Sequence, residues 1–263
     1  MENKYSLDVW EDYYKNEKKI HIKPKDAKGG FFQSYDLYLC DSIFNKYLPY
    51  NQGNKEEVKI CEIGFGDGKL LKKIADHFNY DPYGIEYSKE AVQTAVKGVH
   101  GILGDIFDEK LSDQYQEQFD VVFSYGFIEH IIPPEKAIQA HTKLLKKGGL
   151  LVLQIPRFKK FNWLKARIFR PDLLPLHNLN VMEQEVLQKL GKKEGLQEIF
   201  CSNYGTLKLR LPMAKKDGWY YALKLICLLE YIFNPLLRFT FGKKGFETRM
   251  FSPAVMYIGR KSS

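Results

Sequence analysis

The chain has 263 residues, with 44% hydrophobic and 27% charged residues. This length allows one core of ordinary size, and the composition excludes disordered, collagen-like and coiled-coil classes. The formal net charge of +8 lies in the C-terminal part, where residues from Arg157 onward include 20 basic and 8 acidic side chains, a balance of +12, against −4 before it. This asymmetry favours a phosphorylated substrate, a membrane surface or nucleic acid as partner, and a solvated surface explains it equally well.

The N-terminal residues and the cysteines indicate the compartment. The N-terminal stretch is polar and acidic, whereas a secretory signal has a basic start and an apolar run. The four cysteines, Cys40, Cys61, Cys201 and Cys227, contain no CxxC pair. This spacing argues against a zinc ribbon or a disulfide framework. We therefore expect a cytoplasmic protein with reduced thiols.

Strand and helix signals alternate between residues 58 and 156, as they do in βαβ units of a parallel sheet. Short apolar runs predict five strands, at 58–63, 82–86, 100–103, 119–124 and 150–155. Apolar residues at helical spacing, together with a capping serine at Ser88, predict helices at 69–78, 88–96 and 135–146.

The alternation breaks after residue 156. Residues 157–180 mix basic, aromatic and proline residues and predict an irregular insertion. A helix at 182–190 and strands at 196–203 and 253–259 follow, with a second insertion at 205–252 between the two strands. The apolar run in this insertion is interrupted by charges and Pro235, so it predicts a helical cap and not a membrane span.

Together these elements predict one domain over residues 1–263. Its fold class is α/β, a Rossmann-like seven-stranded mostly parallel sheet with helices on both faces and a helical cap from the C-terminal insertions. Residues 56–156 form the predicted cofactor-binding core, and residues 157–180 and 205–252 are the predicted substrate-cap insertions.

The segment KICEIGFGDGKLL places Gly64, Gly66 and Gly68 at the turn between the first strand and its helix. Glycines at such a turn let a ligand approach the backbone closely, and the helix start supplies free N–H groups. Nucleotide-binding proteins of several classes contain GxGxG, and it also arises by chance, so its context decides what it means.

Three acidic residues supply that context. Glu62 precedes the first glycine by two positions, and Glu86 ends the second strand, where a carboxylate can accept hydrogen bonds from both hydroxyls of a ribose. Asp105 follows the third strand and is placed to meet an adenine amine.

This set resembles the class I S-adenosylmethionine-dependent methyltransferases from about residue 56 to 156. The segments FDVVFSYGFIEHI and LLKKGGLLVLQIP are similar to the family's fourth and fifth strands and their turns. The resemblance implies S-adenosylmethionine as cofactor, S-adenosylhomocysteine as product, and residues 1–55 as helices that cover the cofactor. The cofactor-binding residues that it implies are Glu62, Gly64, Gly66, Gly68, Glu86, Asp105, Ile106 and Tyr125. An NAD-binding or purely structural domain is the alternative, but the nicotinamide pattern GxGxxG is not met.

Glu129 and His130 follow the fourth strand, at the edge of the sheet where ligands of such folds bind. The sequence resembles small-molecule and quinone-type O-methyltransferases, which have an EH pair here, so His130 with Glu129 is the predicted catalytic pair and His130 the general base. His177, in the first insertion, is a second candidate for which a structural role is favoured. Quinone-precursor enzymes that use a divalent metal carry an acid where this chain has Gly126, so we predict no metal ligands.

Patterns typical of several other acceptors are missing, since strand four ends in SYGF and not in D/NPPY. The predicted acceptor is a small, sugar-linked, nucleotide-linked or lipid-linked metabolite, such as a surface-glycan intermediate, with at most peripheral membrane contact. An RNA methyltransferase that uses the basic C-terminal half is the alternative, although no RNA-binding module is visible. A binding protein that keeps the cofactor fold without turnover is the third hypothesis.

Overall fold

The computed structural model describes residues 35–205, 208, 221, 225, 229, 233, 236, 237, 239–241 and 248–262. The predicted N-terminal covering helices up to residue 34, and most of the predicted cap at 205–252, lie outside these residues, as does Cys227. Within the described part, Cys40, Cys61 and Cys201 form no disulfide. None of the described helices combines the length and the apolar character needed to cross a bilayer.

Seven strands form one sheet in the order β3-β2-β1-β4-β5-β7-β6. The strands are β1 (Lys59–Ile63), β2 (Asp81–Glu86), β3 (His100–Leu103), β4 (Phe119–Tyr125), β5 (Leu145–Pro156), β6 (Leu196–Tyr204) and β7 (Ala254–Lys261). The first five strands are parallel, and β7 runs antiparallel between β5 and β6. This sheet confirms the predicted Rossmann-like, mostly parallel fold. Its connections reverse direction between β1 and β4, the place where such sheets bind ligands.

Helices cover the sheet between these strands. The α-helices whose bounds the described residues give are α1 (Tyr35–Tyr47), α2 (Lys69–Phe78), α3 (Lys89–Gln93), α4 (Glu109–Gln114), α5 (Pro134–Leu144), α6 (Phe161–Phe169) and α7 (Gln184–Lys193). Short 3-10 turns lie at Lys55–Glu57, Ile128–His130, Pro171–Leu176 and Leu179–Met182.

Several elements differ from the predicted bounds, and three of them show the physical reason. The helix predicted through residue 96 ends at Gln93, because the Val96 N–H donates to the carbonyl of Asp67 in the glycine loop. The helix predicted through residue 146 ends at Leu144, because Leu145 pairs with Phe119 and extends β5 backwards. Residues 157–180, predicted to be irregular, contain helix α6 and a 3-10 turn.

The core lies in two layers, one on each face of the sheet. Val122 and Leu151 point into one layer, whereas their neighbours Val121 and Val152 point into the other, as the two-residue period of strands requires. The first layer packs against α5 and α7, and the second packs against α1 and α2. This arrangement buries both faces of the sheet and leaves its edges and strand ends for binding.

Phe65, in the glycine loop, is buried in the second layer. A Cβ added to Gly84 on β2 would overlap its ring, and one added to Gly68 or Gly101 would lie 3.3 Å from it. The ring therefore fills a space that exists because three neighbouring residues have no side chain.

We expect Gly84→Ala to lower the free energy of unfolding by about 1–3 kcal/mol, because the new methyl group displaces the Phe65 ring. Urea denaturation of Gly84→Ala, Phe65→Leu and the double variant measures the coupling between the two positions. The added methyl should cost clearly less in the Phe65→Leu background. An equal cost in both backgrounds would contradict this account of the glycine.

His141 on α5 is fully buried, its Nδ1–H donates to the carbonyl of Ala137, and burial lowers its pKa to about 4. The unfolded chain therefore binds a proton below about pH 6.5 that the folded protein does not bind until about pH 4, so stability falls as the pH drops through this window. From pH 7 to 5, His141 should account for about 2 kcal/mol of lost stability. Urea titrations at both pH values should find a smaller loss in His141→Gln, and an equal loss would refute the assignment.

Candidate active site

The glycine loop joins β1 to α2 at the carboxyl edge of the sheet. Gly64, Gly66 and Gly68 have φ angles of 71°, 57° and 72°, and Gly68 is the N-cap of α2. These left-handed conformations suit glycine and strain other residues. The motif therefore forms the predicted tight turn, which leads into a helix N-terminus.

Glu86, the last residue of β2, holds this loop with its buried side chain. Its Oε2 accepts a hydrogen bond from the Gly66 N–H at 3.1 Å, and its Oε1 accepts one from the Ser88 N–H at 3.0 Å. Each carboxylate oxygen has a second lone pair, so the group can still accept from a ligand hydroxyl. The carboxylate is fixed in the place where a ribose would be recognised.

Glu62 on β1 is also buried, and within the described residues its Oε2 has no hydrogen-bond partner. Burial, followed by the nearby charges of Glu86 and Asp67, raises the pKa of Glu62 well above its usual range. A cation beside these three carboxyl groups would relieve that cost. S-Adenosylmethionine carries a sulfonium and an ammonium group, so the residues of this loop fit it.

The three remaining predicted cofactor residues lie near the same edge. Asp105 is exposed beyond β3, and its Oδ1 accepts a hydrogen bond from the Phe107 N–H at 2.9 Å. Ile106 is buried in the first core layer, and Tyr125 ends β4 half-buried. The parallel strands thus bring all the predicted cofactor residues to one edge, whereas their individual roles remain predictions.

The turn after β4 lies directly beside the glycine loop. A Cβ on Gly64 would stand 3.0 Å from Cδ2 of Phe127, so the missing side chain lets the Phe127 ring pack against the loop. The residues Ile128–His130 follow as a single 3-10 turn. This packing carries Glu129 and His130 to the edge of the predicted cofactor site.

Glu129 is 1% exposed, and burial raises its pKa to about 8. His130 donates its Nδ1–H to the carbonyl of Leu176 at 2.9 Å, and its Nε2 lies 3.8 Å from Oε1 of Glu129. Burial, followed by the charge of His177, lowers the pKa of His130 to about 4. The imidazole is therefore neutral at pH 7, and Nε2 is the nitrogen with the lone pair.

His177, the second candidate from the sequence, lies beside this pair. Its ring centroid lies 4.6 Å from that of His130, and its Nδ1–H donates to the carbonyl of Leu173 at 2.6 Å. The Asn178 N–H donates to the carbonyl of Glu129 at 2.6 Å. The first insertion therefore contacts the turn after β4 directly. No local pattern marks His177, because it is far from His130 in the chain.

A family model described as a methyltransferase domain matches residues 32–199. The ubiquinone biosynthesis O-methyltransferase of Alkalilimnicola ehrlichii is 30% identical over 111 residues, which are 40% of this chain and 44% of that protein. The chain thus spans less than half of that relative. The demethylmenaquinone methyltransferase of Leptospira interrogans is 27% identical over 223 residues, covering 71% of this chain and 87% of the relative.

Two solved structures share the fold. A S-adenosylmethionine-dependent methyltransferase from Archaeoglobus fulgidus has a TM-score of 0.56 and 15% identity, and the match covers 88% of this chain and 96% of that one. Phosphoethanolamine N-methyltransferase 2 of Haemonchus contortus, in complex with S-adenosylmethionine, has a TM-score of 0.54 and 16% identity, covering 84% and 52%. The family match shows that the chain belongs to the methyltransferase domain family, as a class I S-adenosylmethionine-dependent methyltransferase, and the solved structures share its fold.

Proposed function

We propose that this methyltransferase acts on a hydroxyl oxygen of a small metabolite. The observation that carries the proposal is the position of Glu129 and His130, in a turn that packs against the glycine loop through Phe127. A hydroxyl acceptor must lose its proton during methyl transfer, and a neutral imidazole suits that task. The ubiquinone biosynthesis O-methyltransferase of A. ehrlichii, which is 30% identical over its matched part, supports an oxygen acceptor.

One group of residues in this proposal binds the cofactor, and another transfers the proton. When bound, the cofactor supplies a methyl group that is open to attack by a nucleophile. The glycine loop and Glu86 orient the donor, and Glu62 faces its positive charge. His130 takes the hydroxyl proton at Nε2, while its Nδ1–H stays on the carbonyl of Leu176 and fixes the tautomer. Oε1 of Glu129 lies 3.8 Å from Nε2, beside the imidazolium that forms.

In this proposal, the insertion at residues 157–180 lines the acceptor side of the site. Three basic residues of this insertion are paired: Arg157 and Lys159 share Glu183, at 3.2 and 3.6 Å, and Arg170 contacts Asp172 at 2.7 Å. These ion pairs reduce the positive charge that the insertion offers to RNA or to a phosphorylated acceptor. By their names, one of the two relatives reported above is an O-methyltransferase of ubiquinone biosynthesis and the other methylates demethylmenaquinone, so a hydroxylated quinone precursor is the first acceptor to test.

Glu86→Ala should weaken the binding of S-adenosylmethionine about a hundredfold or more, because two hydrogen bonds to a charged acceptor are lost. Calorimetric titration with S-adenosylmethionine and S-adenosylhomocysteine measures this loss. Glu56→Ala, which removes an exposed acid outside the loop, is the matched control and should bind as the native chain does. Unchanged affinity in a folded Glu86→Ala protein would show that the cofactor lies elsewhere.

His130→Ala should reduce turnover of a hydroxylated acceptor by about 10² or more while affinity for the cofactor stays the same. Transfer of a labelled methyl group to a catechol-type quinone precursor provides the measurement. His77→Ala, at an exposed histidine on α2, controls for the general effect of losing an imidazole. Full activity in His130→Ala would rule out the proposed base.

A further inference from the structure

Three side chains of metal-binding type meet at the turn after β4. One ligand atom from each of Glu129, His130 and His177 lies within 4.8 Å of the other two. The residues come from two separate parts of the chain, the turn after β4 and the first insertion. Two imidazoles and one carboxylate form a ligand set that first-row transition metals accept and that Mg²⁺ does not favour.

The hydrogen bonds of both histidines prepare them for a metal. Each donates its Nδ1–H to a backbone carbonyl of the same 3-10 turn, His130 to Leu176 and His177 to Leu173. A carbonyl oxygen can only accept, so Nδ1 carries the proton and Nε2 carries the lone pair in both neutral rings. Metal-binding histidines are typically held in this way by a hydrogen bond from the other ring nitrogen.

The carboxylate of Glu129 provides a second, independent indication of a ligand. Its side chain is buried, and among the described residues neither of its oxygens has a hydrogen-bond partner. A buried carboxylate without partners is costly, and a bound cation would remove that cost. Its Oε1 is the oxygen that lies 3.8 Å from Nε2 of His130.

We propose that Glu129, His130 and His177 bind one divalent first-row transition metal ion, with zinc as the reference case. Ligand atoms around a tetrahedral zinc ion lie about 3.4 Å apart, as bond lengths of about 2.0–2.1 Å require. The three side chains therefore need to close by about 1 Å. Three protein ligands leave one coordination position open, as in catalytic zinc sites.

The acceptor hydroxyl would bind at the open coordination position, and here the inference rests on the proposed function. An acceptor hydroxyl bound to the metal would be more acidic than a free one. In the metal-loaded protein His130 is a ligand, so the proton of the metal-bound hydroxyl would pass to solvent water and not to Nε2. The sequence predicted no metal because Gly126 offers no ligand. His177 supplies the third ligand from the insertion.

Metal binding is measurable without the methyl-transfer reaction. The native chain is stripped with a chelator and titrated with Zn²⁺ by calorimetry and with Co²⁺ by visible absorption. We expect one equivalent of metal to bind at micromolar or lower concentration, with a Co²⁺ spectrum that lacks thiolate charge-transfer bands. In His177→Ala and Glu129→Gln the affinity should fall at least tenfold, whereas His77→Ala should bind as the native chain does.

Several outcomes would overturn the metal site. These are no binding of either metal, equal affinity in folded His177→Ala, or a thiolate band that assigns the metal to a cysteine. His177→Asn replaces the alanine variant if that variant does not fold. Failure of the metal site leaves methylation of hydroxyl acceptors intact. Conversely, metal bound in the expected way to a protein that methylates no hydroxyl would refute the proposed function alone.

Discussion

The packing of the Phe65 ring against glycines fixes the glycine loop, and the loop positions its neighbours in the site. The ring lies in a space bounded by Gly84 and Gly101 on two neighbouring strands, and it thereby fixes the loop that contains it. The loop in turn presents the Gly66 N–H to Glu86 and leaves Gly64 without a side chain. Phe127 fills the gap beside Gly64. The glycine loop and the turn after β4 are therefore held together by packing between aromatic rings and glycines.

Burial sets the electrostatic character of the two halves of the site. Around the glycine loop it raises the pKa of Glu62, so this half gains from a positively charged ligand. Around the turn after β4 it lowers the pKa of His130 and raises that of Glu129, so this half holds little net charge at neutral pH. The contrast matches a reaction in which a cationic donor meets a neutral hydroxyl.

The sequence predicted the parts of the fold that local pattern controls. The apolar strands, the glycine turn and the acids that end or follow them are all local, and each lies where it was predicted. Leu145 was assigned to a helix because its pairing with Phe119 is a contact between distant residues. The role of Phe65 could not be predicted for the same reason, because its ring packs against glycines on two other strands. His177 lies beside His130 because of how the first insertion folds, and that insertion has no hydrophobic periodicity from which the contact could be predicted.

The contacts between the first insertion and the turn after β4 affect how the enzyme could be re-engineered. His130 donates to the carbonyl of Leu176, and the Asn178 N–H donates to the carbonyl of Glu129, so the two segments share a backbone framework. Grafting a foreign insertion to change the acceptor would also remove the groups that orient the imidazole. A successful chimera would therefore have to exchange the turn and the insertion as one unit.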